Sequence, residues 1–318
     1  MATVKTADGE EIKLNTPSDK YWAERAEERA KQAYDVADDS YVDLRRIYKN
    51  TSIKLSNEVS AFYQKYGVNQ ARPVFDTLAD GTDVMVGSST KRVVPINEAL
   101  KYNRLDSINK QLNAHLSRLA SDQNGYMITN LKLLAQEAYN STYFDMFQGY
   151  GVGYNFDLLD PKLVTQLIRN PVNGQDFSKR VWNNKALLAN RVNQELRNGL
   201  IQGISTREMS KRLANKMNSG YTVAERLMRT EITNTYNQST LQGYKSSGIV
   251  KQYQYLATLD NRTSAVCQDL DGQVFNLDDA TTGLNFPPMH VNCRSTTISK
   301  FDDEVFERIA RREDGSTY

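Results

Sequence analysis

The chain has 318 residues, room for two domains of roughly 100–200 residues each, and its 39% hydrophobic and 25% charged residues suit a protein that buries a core. No apolar run approaches the ~18 residues of a membrane span, and residues 1–20 are polar, without the apolar stretch of a secretory signal. Two cysteines, Cys267 and Cys293, exclude a disulfide framework, so the expectation is a protein made and kept in a reducing cytoplasm.

The net charge of +2 is the residue of a strong polarisation. Residues 169–230 carry 12 Lys/Arg against 4 Asp/Glu, whereas 251–318 carry 7 against 11. A basic block in the middle of the chain is therefore a feature to explain.

In chain order, Thr16-Pro17-Ser18-Asp19 reads as a helix start. Trp22, Ala26, Ala30 and Ala33, then Tyr41, Leu44, Leu55, Val59 and Phe62, recur at spacings of three and four. That predicts one very long helix, or two in line, ending at Gly67. Residues 68–95, with Pro73, Gly81, Gly87 and Pro95, predict a short helix followed by a loop or hairpin. From Ile96 a helical face runs through Leu105, Leu112, Leu116 and Leu119; a break is expected at 122–125, then a further helix from Met127 to Phe147. Gly149, Gly151 and Gly153 suggest a domain boundary.

Asp160-Pro161 starts a short helix that Asn170-Pro171 ends. Residues 176–202 predict an amphipathic helix terminated by Gly203, Ser205 opens the next, and Thr222 is expected to cap a third that reaches Gly248. The texture then changes. Residues 251–258 alternate and are rich in β-formers, with Val274-Phe275 and Thr296-Thr297-Ile298 as further candidate strands. Residues 302–312 look helical and highly charged. The expected fold is α+β: an extended, mainly helical part over 1–150, a second region over 151–300 with helices in 160–248 and a small β subdomain in 250–298, and a charged tail over 301–318.

The stretch 229–297 holds a chain of motifs. Arg229-Thr230-Glu231 lies on a helix, with Asn234 and Asn237-Gln238-Ser239 after it. The strand Gln254-Tyr255-Leu256-Ala257-Thr258 leads into Asp260-Asn261-Arg262-Thr263, followed by Cys267 and Leu270-Asp271-Gly272. Pro287-Pro288-Met289-His290-Val291-Asn292-Cys293-Arg294 closes the series. In this order and spacing the chain resembles the Mu F-like family of phage head morphogenesis proteins, also called minor head or minor capsid proteins. The resemblance reaches back to Gly203; the remainder shares only its helical, polar character. Ser295 stands where the family pattern often has a second cysteine of a Cys-Arg-Cys ending.

The resemblance implies a virion component of the tailed-phage head interior, assembled in the host cytoplasm, entering in few copies. It implies contact with the portal protein and with packaged double-stranded DNA, and further contacts with scaffold or major capsid protein. No catalysis is expected. Some family members carry an added C-terminal toxin domain, for which the twenty or so residues after the motif leave no room here.

Read for chemistry, Cys267, His290 and Cys293 form a set that suits tetrahedral zinc, with Asp260, Asp269 or a water as fourth ligand. A buried cysteine pair with His290 bonded to a carbonyl, and a cysteine–histidine nucleophile of an enzyme or toxin-like effector, are the competing readings. His115 reads as a helix side chain. Asp260 favours a turn, with Arg262 pairing to Asp269 or Glu231; a catalytic role for Asp260 is the alternative. Arg229 and Glu231, two apart on a helix, point different ways and are expected to tie that helix to the β subdomain. Gly272 and Arg294 complete the structural motif. The basic block consists of Arg180, Lys185, Arg191, Arg197, Arg207, Lys211, Arg212 and Lys216. These cations suit DNA phosphates or an acidic portal surface, against the simpler reading of a solvated helix face.

Overall fold

The structure, a computed structural model, describes residues 2–5, 11–14, 19–66, 72–77, 83–89, 104–150, 159–172, 174–248 and 250–301. It is α+β, as the sequence predicts: long helices and a small antiparallel sheet near the C-terminus. No helix among the described residues is long and apolar enough to cross a membrane. The chain divides into two compact units, each discontinuous in sequence. Unit one holds residues 1–40, 126–177 and 226–318; unit two holds 41–125 and 178–225. Each therefore draws on both sides of residue 150.

Unit two is built mainly from helical segments. They come from α1 (Asp19–Tyr66), α2 (Arg104–Tyr150), α4 (Phe177–Gln202) and α5 (Thr206–Ser247), α3 being Pro161–Ile168 in unit one. Leu44, Leu55, Val59, Leu112, Leu116, Val192, Leu196 and Met209 are fully buried and form its core. Polar bonds stitch the same segments: the Tyr48 hydroxyl donates to Gln123 Oε1 at 2.9 Å, and His115 Nε2 lies 3.2 Å from Glu58.

Two expected helix breaks do not occur. The helix runs through 122–125 because the buried face continues without a gap, from Leu116 and Ala120 through Gln123 to Met127 and Leu131. Packing along that face outweighs the roughly 1 kcal/mol helix penalty of Gly125. Helix α5 likewise runs through Thr222, whose hydroxyl bonds back to the Asn218 carbonyl at 3.2 Å instead of capping a new helix. Gly220 within it sits close under its neighbours: a Cβ there would sit 2.8 Å from Leu188 Cδ2 and 3.3 Å from Tyr48 Cε1.

Residues 72–77 and 83–89 are extended, forming an antiparallel pair, β3 (Arg72–Thr77) and β4 (Asp83–Ser89), after β1 (Ala2–Lys5) and β2 (Glu11–Leu14). The hairpin reading is the observed one, and the short helix expected before it is replaced by β3. Pro73 cannot donate a helical hydrogen bond, and Val74, Phe75 and Thr77 favour strand. Gly67, Gly151, Gly153, the helix start near Ile96 and the expected helix over 302–312 lie outside the described residues.

In unit one, Asp160 caps α3 by accepting from the Lys162 amide at 2.8 Å. Arg29 and Asp145 join α1 to α2 through two bonds of 3.0 Å. The sheet has the order β6 (Val274–Asn276), β5 (Val250–Leu256), β7 (Thr296–Phe301), with β5 central and antiparallel to both neighbours. Tyr253 and Tyr255 point inward from β5 and are fully buried.

Candidate metal centre and its anchoring helix

The site is assembled from three short pieces of unit one. The first is α6 (Ala265–Leu270), capped by Ser264, whose hydroxyl accepts from the Cys267 amide at 3.3 Å. This places the Cys267 sulfur in the first turn. The second is the turn over 290–293, closed by the Cys293 amide donating to the His290 carbonyl at 3.2 Å. Asn292 takes a left-handed φ of 61° there, a conformation Asn tolerates better than most residues. The third is β5, whose Tyr255 hydroxyl donates to the Cys267 sulfur at 3.3 Å.

The three sequence-predicted ligands come together. Cys267 Sγ lies 3.8 Å from Cys293 Sγ and 3.3 Å from His290 Nε2. Both cysteines are buried, at 2% and 0% exposure, while His290 is half-buried. Both are free thiols. The Cys293 thiol beside it pulls the Cys267 thiol down from its ordinary pKa, helped by Ser264 and Tyr255, while contact with Cys267 and burial push Cys293 up. His290 Nδ1 is 2.9 Å from the Val291 carbonyl, which can only accept, so Nδ1 carries the proton. Its Nε2 lone pair then faces Cys267 and the Ser264 hydroxyl, 2.8 Å away. Chemically, the cluster can bind a soft divalent metal or act as a thiol pair.

Neither Asp260 nor Asp269 joins this cluster. Asp260 is held in a turn beside it: its carboxylate accepts from Arg294 through two bonds of 2.7 and 2.6 Å and from the Arg262 amide at 2.8 Å. The Arg262 guanidinium pairs at 3.5 Å with Asp260, rather than with Asp269 or Glu231 as the sequence suggested. The turn itself brings residues 260 and 262 within reach. The Arg294 guanidinium holds the Asp260 carboxyl well below the usual carboxylate range, and Arg294 is raised in return. A group with a depressed folded pKa stabilises above its unfolded pKa of about 3.9 and loses that contribution as pH falls through the folded value. Asp260→Asn should therefore be less stable than the wild type at neutral pH, the gap closing below about pH 4. A gap equally wide at pH 7 and in strong acid, read by urea titration, would remove Asp260 from this role.

The turn at 290–293 and the segment after it are gripped by one face of α5. The Asn292 amide donates to Thr230 Oγ1 at 3.2 Å, and the Thr233 hydroxyl donates to the Cys293 carbonyl at 2.9 Å. Asn237 Nδ2 donates to the Ser295 carbonyl at 3.2 Å, and the Tyr244 hydroxyl to the Thr297 carbonyl at 3.1 Å. Asn234 reaches the other way, donating to the Asn170 carbonyl at 3.0 Å. Thr230, Thr233, Asn234 and Asn237 are buried, so these bonds are shielded from water. The tie from helix to β subdomain expected of Arg229 and Glu231 is thus made visibly by their neighbours; Glu231 is itself fully buried and Arg229 half-buried. Thr233, Ser264 and Tyr244 were not singled out in the sequence. The signal for Thr233 and Tyr244 was a row of polar groups where an apolar helix face is expected, and for Ser264 a serine directly before a short helix.

Gly272 adopts φ +77° and its amide donates to the Tyr255 carbonyl at 2.9 Å, turning the chain from α6 into β6.

The basic residues occupy unit two. Arg191, Arg197, Arg207 and Lys211 are exposed, Lys185 and Arg180 half-buried. Arg212 bonds Glu208 at 3.0 Å and Glu195 at 3.4 Å, and Lys216 pairs with Glu195 at 3.3 Å. These two cations are therefore partly spent on internal pairs. The units separate charge sharply: unit two carries 21 Lys/Arg against 11 Asp/Glu, a net of +10, and unit one carries 19 against 27, a net of −8.

The family described as Phage Mu protein F like protein matches residues 190–298. The chain is 28% identical over 220 residues to the NAD(+)–arginine ADP-ribosyltransferase EFV of Enterococcus faecalis, an overlap of 64% of this chain and 44% of that protein. It thus spans less than half of the Enterococcus protein's length. Against the minor head protein GP7 of Bacillus phage SPP1 it is 24% identical over 240 residues, 69% of this chain and 76% of that protein. No solved structure matches. The matched segment contains the whole Cys–His cluster, its turn and the anchoring face of α5, so the chain's likeness to the Phage Mu protein F like family covers residues 190–298.

Proposed function

We propose that the protein is a minor head protein of a tailed phage, a non-catalytic component of the virion interior that contacts packaged double-stranded DNA near the portal. Portal protein is its first expected protein partner, with scaffold or major capsid protein as further contacts. The observation that carries the DNA role is the charge of unit two. A net +10 is concentrated in one compact unit, and Arg191, Arg197, Arg207 and Lys211 are exposed with no ion pair among the described residues. Arg207 and Lys211 stand one turn apart on α5, so they share a face. Lys/Arg contacts to phosphate supply sequence-independent affinity and make it fall steeply with salt. The structural role is favoured over a thiol enzyme by the burial of both sulfurs.

The test is a salt-dependent titration with duplex DNA. Affinity should fall linearly with salt on logarithmic axes, and Arg207→Glu/Lys211→Glu should weaken binding about tenfold or more while lowering the slope by about 2. Arg212→Ala, already engaged by Glu195 and Glu208, should change binding less. No binding at low salt would refute the DNA role and make an acidic portal surface the occupant to test.

A second reading, ADP-ribosyl transfer, is favoured by the name of the Enterococcus relative alone. Transfer of label from NAD to an arginine acceptor by the purified chain would establish it in place of the structural role.

A further inference from the structure

We propose that Cys267, Cys293 and His290 bind one zinc ion, which clips α6 to the turn over 290–293 and leaves a fourth coordination position open to solvent. The proposal is independent of the DNA role. The first support is the spacing of the ligand atoms. With Zn–S of about 2.3 Å and Zn–N of about 2.0–2.1 Å, tetrahedral geometry puts sulfurs about 3.8 Å apart and sulfur about 3.5 Å from nitrogen. Cys267 Sγ stands 3.8 Å from Cys293 Sγ and 3.3 Å from His290 Nε2, and all three ligand atoms lie within 4.8 Å of one another.

The second support is the orientation of the imidazole. Its Nδ1–H is committed to the Val291 carbonyl at 2.9 Å, the outer contact that metal-bound histidines commonly make, and this leaves Nε2 as the coordinating lone pair. The third support is rigidity. Cys293 is held from behind by the Thr233 bond to its carbonyl, and Cys267 by the Ser264 cap, so neither ligand must be ordered on binding.

A shallow cleft lined by Thr258, Arg262, Ser264, Asn292 and Ser295 opens onto Cys267 and His290. Solvent entering there fills the fourth position, and the Ser264 hydroxyl, now 2.8 Å from Nε2, turns to meet it. Asp260 is not available as the fourth ligand because Arg294 holds both its oxygens. Zinc and copper(I) suit such sulfur-rich sets better than magnesium or calcium.

The experiment uses the full chain, purified under reducing conditions without chelator, with folding checked by circular dichroism. Elemental analysis should find about one zinc per chain. Replacement by cobalt should give a thiolate-to-metal charge-transfer band and the intense visible bands of tetrahedral Co(II). Cys267→Ser and His290→Ala should each weaken binding by more than about tenfold. Should these variants fail to fold, titration of the reduced wild type with cobalt decides alone. Folded, reduced wild-type protein that holds no zinc and leaves added cobalt octahedral overturns the proposal. So does a Cys267–Cys293 disulfide, seen by mass, that persists under mild reduction.

Discussion

Tyr253→Ala is expected to destabilise the protein by about 3–5 kcal/mol, enough to loosen the whole β subdomain. Tyr253 sits at the middle of the central strand, opposite Phe275 on β6 and Ser299 on β7. It is fully buried, its ring meets Phe286 edge-on at 5.3 Å and Phe275 at 5.7 Å, and its hydroxyl donates to the Asn285 carbonyl at 3.3 Å. Truncation removes both ring contacts and leaves a cavity that a three-stranded sheet cannot close by relaxing. The companion variant separates the terms: Tyr253→Phe keeps the rings and loses one hydrogen bond, a cost of about 0.5–1.5 kcal/mol. Urea unfolding of the two proteins checks this. Equal losses for both would place the energy in the hydroxyl and contradict the packing argument.

Asn237→Ala is expected to cost about 1–3 kcal/mol, the penalty for leaving a buried polar group without its partner. Asn237 is fully buried and donates to the Ser295 carbonyl at 3.2 Å and to the Thr233 carbonyl at 2.9 Å. The Ser295 carbonyl is the one orphaned, since the Thr233 carbonyl can keep its own helical bond. The damage should be local: hydrogen exchange should quicken over 290–297 before it quickens in unit two. Uniform quickening in both units, or unchanged stability, would mean that α5 does not grip the segment through this side chain.

Together these two substitutions divide the subdomain into an apolar half, under the sheet, and a polar half, against α5. The Cys–His cluster lies where the two meet: Cys267 and Cys293 pack with Tyr255, Ala257, Leu270, Phe275 and Met289, and Thr233 bonds the Cys293 carbonyl. Its geometry thus depends on residues outside the Cys–His set.

The sequence alone determined the elements whose signals are local. The cap at Asp160 with Pro161 behind it, the stop at Gly203 with φ +63°, and the alternating strand that became β5 all depend on a few neighbouring residues. The grouping of His290 with Cys293 was also legible, because a two-residue gap lets both side chains converge from one turn; only the fold brought Cys267 to them. The uneven charge was visible as well, though only the fold sorted it into units of +10 and −8.

What tertiary structure decided are the places where long-range packing overrode a local signal. Gly125 and Thr222 read as breaks, the first because glycine weakens a helix by roughly 1 kcal/mol, yet both helices continue where a buried face is kept in register. What the polar face of α5 grips was not legible, because Thr and Asn side chains cannot be told from solvated ones until their partners are known. Those partners are backbone carbonyls and an amide about sixty residues later, in 292–297, and no periodicity within the helix encodes them. The pairing of Asp260 with Arg294 escaped for the same reason: the sequence pointed Arg262 at Asp269 or Glu231, and only the fold brought two guanidinium groups to Asp260, one of them from thirty-four residues downstream.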